Sequence, residues 1–247
     1  MKKAIFLIPL LALAACEGSI ANAVGDAASS TSSFSDGMAI GTSASDPGAF
    51  DGVTLAGPDN IIFTTADDFS IRAEGDDEAI EQLRYKVSGD QIKIGREKNG
   101  MSWNSSGKAT IYVSAPALKS AKLAGSGDIE IDAMTTDSAA LSVAGSGNIR
   151  VTKVDTASLS SKIAGSGELS MAGTAKAVDI SIAGSGDVNG KALEAESANI
   201  SIAGSGDVEL SSDGTVNAKV MGSGDIQIHG DAECKSRKSG SGKITCG

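Results

Sequence analysis

Aromatic side chains are scarce in this chain of 247 residues, which has one Trp, two Tyr and five Phe. Sugar sites ordinarily rest on aromatic platforms. Trp103, Tyr85 and Tyr112 therefore confine any such site to the N-terminal part, where a Trp is more often a core plug or cap. Histidine is scarcer still. A Ser-His-Asp triad would have to use His229, the one histidine, which stands among repeat residues with no distinguishing context. Of the three cysteines, Cys234 and Cys246 lack nearby histidines and make a poor zinc site. Long apolar runs are also missing. The longest, Ile5 to Leu13, falls well short of the roughly 20 residues a membrane-spanning helix needs.

What the N-terminus does have is the layout of an export signal: Lys2 and Lys3, the apolar run, then Ala14 and Ala15. Residues 1–15 therefore read as a signal peptide. Its end, Leu13-Ala14-Ala15-Cys16, resembles the lipobox of bacterial lipoproteins, which implies that Cys16 becomes the lipidated first residue of the mature chain. Glu17, not Asp, follows, and in lipoproteins this implies sorting to the outer membrane. The lipid is then the expected anchor, with more than one acyl chain needed for stable attachment. Whether the protein faces the periplasm or the outside is left open.

Loss of Lys2 and Lys3 takes the formal net charge from −10 to −12. An acidic chain repels phosphate backbones, which argues against nucleic acid as a partner. Residues 16–49 are dominated by Ala, Ser, Gly, Thr and Asp with isolated, aperiodic apolar residues. Such composition buries too little to offset the entropy of ordering, so a flexible tether is predicted, with the folded unit spanning 50–247.

The informative feature is a repeat. Gly-Ser-Gly begins at Gly125, Gly145, Gly165, Gly184, Gly204, Gly222 and Gly240, at spacings of 20, 20, 19, 20, 18 and 18 residues. Apolar and polar residues alternate on both sides, as in Ile202-Ala203-Gly204-Ser205-Gly206-Asp207-Val208-Glu209-Leu210. A period of two is that of strands with one buried face and excludes helix. Paired glycines suit corners that need positive φ or close backbone approach. Aligned repeats give apolar columns, among them Leu123, Val143, Ile163, Ile182, Ile202, Val220, ending at Lys238, and Ile129, Ile149, Leu169, Val188, Val208, Ile226, Ile244. A unit that cannot close a core alone but buries columns when stacked describes a single-stranded right-handed parallel β-helix, or β-solenoid, with coils of about 18–20 residues. Leu55 to Asp59 and Val87 to Asp90 read as degenerate corners, and Asp77 to Leu83 as a short helical insertion at one end.

Phe50-Asp51-Gly52-Val53, Ile111 to Leu118 and the Gly-Ser-Gly-Asp coils resemble the putative auto-transporter adhesin, head GIN domain family over residues 50–247. The resemblance implies an envelope-located β-helix and supplies no catalytic residues.

After each tripeptide stands Asp128, Asn148, Glu168, Asp187, Asp207, Asp225 or Lys243. Asp187, Asp207 and Asp225 are the best calcium candidates, since hard cations favour oxygen ligands. The competing reading, which we prefer, has each Asp accepting amide hydrogen bonds at its own corner, with no metal and no cofactor. The repeated serines, Ser126 to Ser241, form a hydroxyl ladder and not a nucleophile elbow. Cys234 and Cys246 fall in inward columns of the last coil, where an oxidising compartment favours a disulfide. The expectation is a non-enzymatic envelope lipoprotein presenting its surface for adhesion, with a glycan or protein ligand. The alternatives are a polysaccharide-active enzyme and a purely structural envelope protein, since fold alone never establishes function.

Overall fold

The computed structural model describes residues 34–97 and 107–247. Residues 1–15, Cys16 and Trp103 lie outside the described residues.

Five long strands carry the repeat: β9 (Asp128–Gly145), β10 (Asn148–Gly165), β11 (Glu168–Gly184), β12 (Asp187–Gly204) and β13 (Val208–Gly222). The last coil is made of β14 (Ile226–His229), β15 (Glu233–Gly240) and β16 (Ile244–Cys246). All pair in parallel. The sequence-aligned columns are physical ones, with Leu123, Val143, Ile163, Ile182, Ile202 and Val220 in register and each at most 2% exposed. Each coil has two arms. In β9, Ile129, Ile131 and Met134 point inward from the first, and Ala139, Leu141 and Val143 from the second.

The corners explain the glycines. The first glycine of each tripeptide takes a φ between +125° and +143°, a region an L side chain rarely enters. Each also sits against the same glycine one coil earlier, so that a Cβ on Gly204 would lie 1.9 Å from the Gly184 carbonyl oxygen. That closeness lets the Ser205 amide donate to the Gly184 oxygen at 2.9 Å, and the same bond recurs along the stack.

The N-terminal part departs from chain order. The first coil, β2 (Gly52–Gly57) and β3 (Asn60–Thr65), is slotted into the stack between later strands. β2 lies between β6 (Gln91–Arg96) and β8 (Ser120–Gly125), and β3 lies between β7 (Ala109–Ala115) and β9. Three antiparallel strands close this end: β4 (Ser70–Gly75) on β7, β5 (Leu83–Ser88) on β6, and β1 (Met38–Ala39) on β5. Helix α1 (Asp77–Gln82) joins β4 to β5, as the insertion predicted from sequence, and buries Ala79.

Two expectations are corrected. Residues 34–49 are part of the fold and not a free tether: Phe34 and Ile40 are 8% and 2% exposed, and Ser45 bridges to Ile71. A capping segment needs only isolated apolar residues placed over the open end of the columns, so it carries no periodicity to detect. Val87 to Asp90 is a hairpin turn and not a solenoid corner, because Ser88 pairs directly with Gln91 around Gly89 at φ +60°. Gly57, by contrast, stands in register with Gly125 as a true corner.

Candidate functional site

Repetition turns single side chains into ladders. At the Gly-Ser-Gly corner the serines are exposed, and the Asp or Asn after a tripeptide reaches the next coil. Asp187 Oδ1 accepts the Asp207 amide at 2.8 Å, Asp207 Oδ1 the Asp225 amide at 2.7 Å, and Asp225 Oδ1 the Lys243 amide at 2.6 Å. Asn60, Asp128 and Asn148 make the equivalent bonds lower in the stack. The aspartates therefore bond one coil onward and not at their own corner, a distinction invisible in sequence because it depends on rung spacing. Glu168 interrupts the ladder, its carboxylate accepting from Ser170 Oγ at 2.7 Å instead. Among the described residues, no three His, Cys, Asp or Glu side chains converge as a metal site, so Asp187, Asp207 and Asp225 form a file with one oxygen of each already engaged.

The second corner, where the two arms of each coil meet, is concave. A groove of about 900 Å³ runs along it across six successive rungs. Its floor is the column Thr136, Thr156, Ala175, Ala195, Ser212, the last four no more than 6% exposed. Small residues there make the hollow. Thr136 and Thr156 donate their hydroxyls to the carbonyls of Ser138 and Ser158, so the floor satisfies its own polar groups. The walls carry Asp137, Asp155, Glu194, Glu196 and Asp213, against Lys176 and His229. These carboxylates were missed from sequence. Their signal was present as a second repeat offset: Asp155 and Glu194 each stand ten residues before a tripeptide, and Asp137 and Glu196 eight.

His229 lies at the end of this groove, its Nε2 2.6 Å from Glu209 Oε1, with Lys191 Nζ 3.5 Å from the same oxygen. The hydrogen bond to His229 holds the Glu209 carboxyl below the ordinary glutamate range, against a desolvation that pushes it up and aided by the Lys191 charge. Ser211, beside His229 in register, donates its hydroxyl to the Lys191 carbonyl at 2.7 Å. The hydroxyl and the imidazole thus have separate partners. Tyr85 is 5% exposed in the core, and Tyr112 is stacked beneath the Arg72 guanidinium at 4.0 Å.

At the far end Cys234 and Cys246 are joined in a disulfide, Cα to Cα 6.5 Å, between β15 and β16. Lys238 takes the inward position above Val220, its Nζ donating to the Gly242 carbonyl at 3.1 Å. A charge placed inward on a terminal strand discourages edge-to-edge pairing. A cross-link over a sequence separation of 12 residues removes unfolded-state freedom worth about 3 kcal/mol. Reduction, or Cys234→Ser with Cys246→Ser, should therefore let the last coil fray. Trypsin should then cut after Lys235, Arg237 and Lys238 while the body of the solenoid up to Lys235 persists, as mass spectrometry would show. Equal resistance of reduced and oxidised protein would deny the disulfide this role.

The fold and its ladders define a parallel β-solenoid whose corners carry repeated polar side chains along the stack. The chain belongs to the putative auto-transporter adhesin, head GIN domain family, which matches residues 49–232. The capping segment before it and the disulfide-bonded last strands lie outside that match. Among solved structures, a putative adhesin from Bacteroides fragilis NCTC 9343 is similar with a TM-score of 0.74 at 22% identity, over 83% of this chain and 95% of that one. A protein described as a putative lipid binding protein from Parabacteroides distasonis ATCC 8503 aligns at TM-score 0.65 and 24% identity, over 83% and 95%. A putative adhesin from Parabacteroides merdae ATCC 43184 aligns at 0.66 and 18%, over 83% and 94%. At these identities the likeness is one of fold. No curated protein matches the chain.

Proposed function

We propose that this protein is a non-enzymatic cell-envelope lipoprotein, held to the outer membrane through Cys16, whose solenoid presents the corner groove to an extended ligand in adhesion. The observation that carries the reading is the groove itself: about 900 Å³ in volume, with wall residues from successive coils at equivalent positions. A ligand lying along it meets hydroxyls and carboxylates that alternate down the column Thr135, Asp155, Thr174, Glu194 and Ser211, and repeated weak contacts multiply into avidity. Membership of an adhesin family supports the same reading. The carboxylates on the walls favour a glycan or protein segment that brings amines or hydroxyl groups.

The test is a glycan and extracellular-matrix array probed with the purified protein, with and without calcium. Saturable retention is expected, without release of reducing or unsaturated sugar ends and weakened by Asp155→Asn combined with Glu194→Gln. Calcium should leave it unchanged, because Asp187, Asp207 and Asp225 already spend an oxygen on the next coil's amide. Release of sugar ends would instead mark a polysaccharide-active enzyme. Absence of any binding would mark a structural role in the envelope.

A further inference from the structure

The net charge of −10 conceals a surface of opposite sign. The second arms of the coils stack into one sheet face, and its outward side chains form columns of their own. One column runs in unbroken register through Lys93, Thr54, Lys122, Ser142, Lys162, Ser181, Ser201, Lys219 and Arg237, half-buried or exposed at every rung but Thr54, which is buried. Its nine rungs hold five cations, four hydroxyls and no carboxylate. At about 4.8 Å per rung it is nearly 40 Å long. The adjacent column ends Asp179, Asn199, Asn217, Lys235. Its one carboxylate is occupied from within: Asn199 Nδ2 donates to Asp179 Oδ1, and Asn217 Nδ2 to Asn199 Oδ1, both at 3.0 Å.

These cations have no task inside the fold. Lys93, Lys122, Lys162, Lys219, Lys235 and Arg237 take part in none of the ion pairs among the described residues, although the chain has 31 Asp and Glu to offer. Other lysines do pair, such as Lys119 with Asp51 at 2.7 Å. Lining up unpaired like charges on one face is unfavourable, and it persists on this face while carboxylates gather along the groove.

We infer that this basic face is a docking surface for a linear acidic polysaccharide, one bearing carboxylate or sulfate groups at intervals along its chain. Charge complementarity selects a polyanion. The spacing selects among polyanions. From Lys93 to Lys219 the cations stand two or three rungs apart with hydroxyls on the rungs between, and Arg237 follows Lys219 on the next rung. A rung is close to the length of one sugar residue in an extended chain. An acidic glycan therefore places a charge at every second or third rung and neutral hydroxyls on the serines between. A nucleic acid, charged at every unit, would bring unmatched charges to the gaps and meet the acidic remainder of the protein. A membrane would seek apolar side chains to insert, and the outermost column here is alanine from Ala124 to Ala203 before the single exposed Met221. That low column leaves the face level for a chain to lie along.

The test measures binding of the purified protein to immobilised hyaluronan and partly methyl-esterified polygalacturonate, both charged at intervals along the chain, with neutral dextran as control. Saturable binding to at least one acidic polymer is expected, weakening steeply as salt rises, with none to dextran. The triple variant Lys122→Glu, Lys162→Glu, Lys219→Glu should lose at least about tenfold in affinity. The milder triple change to Gln, its melting checked against the parent, should lose less. The groove variant Asp155→Asn, Glu194→Gln should bind acidic polymers as the parent does, which separates this inference from the groove reading. Equal binding by parent and charge-reversed protein would overturn the inference. So would failure to bind either polymer at low salt, or preference for phosphatidylglycerol vesicles or single-stranded DNA over both polymers.

Discussion

Gly204→Ala should cost about 2–6 kcal/mol of stability, because two penalties coincide at one atom. The backbone there has φ +142°, and the new methyl would lie 1.9 Å from the Gly184 carbonyl. The two terms can be separated within the same molecule. Gly57 has the same φ, +143°, with nothing within 4 Å of its Cβ position, so Gly57→Ala should show the conformational term alone, about 1–3 kcal/mol. Gly206 has no positive φ but would place a methyl 1.9 Å from the Gly186 carbonyl, so Gly206→Ala isolates crowding. Urea unfolding of the three variants checks the order, with Gly204→Ala the least stable. If Gly57→Ala were as damaging as Gly204→Ala, the close stacking of coils would not be what demands glycine. A solenoid couples only neighbouring coils, so loss at this corner should also melt the coils around it first.

The second large effect is expected at Asp59. It occupies the corner position that glycine fills in later coils, and its side chain is 1% exposed. Arg96, 13% exposed, meets it with two donors at 2.7 and 2.6 Å, and the Ala109 amide donates to it at 2.9 Å. One carboxylate thus ties the corner after β2 to the end of β6 and the start of β7. The hydrogen bond that Arg96 donates to Asp59 raises the Arg96 pKa above its ordinary value, outweighing desolvation, so the guanidinium stays charged. Asp59→Ala should cost about 3–5 kcal/mol, since it breaks a buried ion pair and takes the two-pronged acceptor from a charge in a poorly solvated place. Asp59→Leu with Arg96→Met should recover much of the loss, because removing both partners also removes the desolvation cost. A double-mutant cycle read by chemical denaturation measures the coupling. A double variant no better than Asp59→Ala would mean that the Ala109 amide, left without its acceptor, dominates.

How far these features were legible varies with their range. The Gly-Ser-Gly columns were read correctly because each position repeats, so one rule about alternation is tested seven times over. Cys234 and Cys246 could be placed at the last coil for the same reason, by alignment with the columns of Val216 and Ile228. The direction of the aspartate hydrogen bonds could not be read. An Asp in a turn and an Asp reaching the next coil have the same local sequence, and only the stacking distance distinguishes Asp187 bonding at its own corner from Asp187 bonding to Asp207. Phe34 and Ile40 escaped notice because a cap buries what it touches without following a period.

Period and composition by themselves determined a parallel solenoid, its corner glycines, its inward columns and its exposed seryl edge, since burying one face of a strand needs only alternation and every coil restates it. Tertiary structure alone decided what lies side by side. It slotted β2 and β3 between strands that follow them in the chain, brought Asp59 to Arg96, and hollowed the groove over small residues. Contacts between coils join residues about 20 apart or more, and charges count by distance in space. A chain acidic on average can therefore carry a basic face that no sum over its sequence displays.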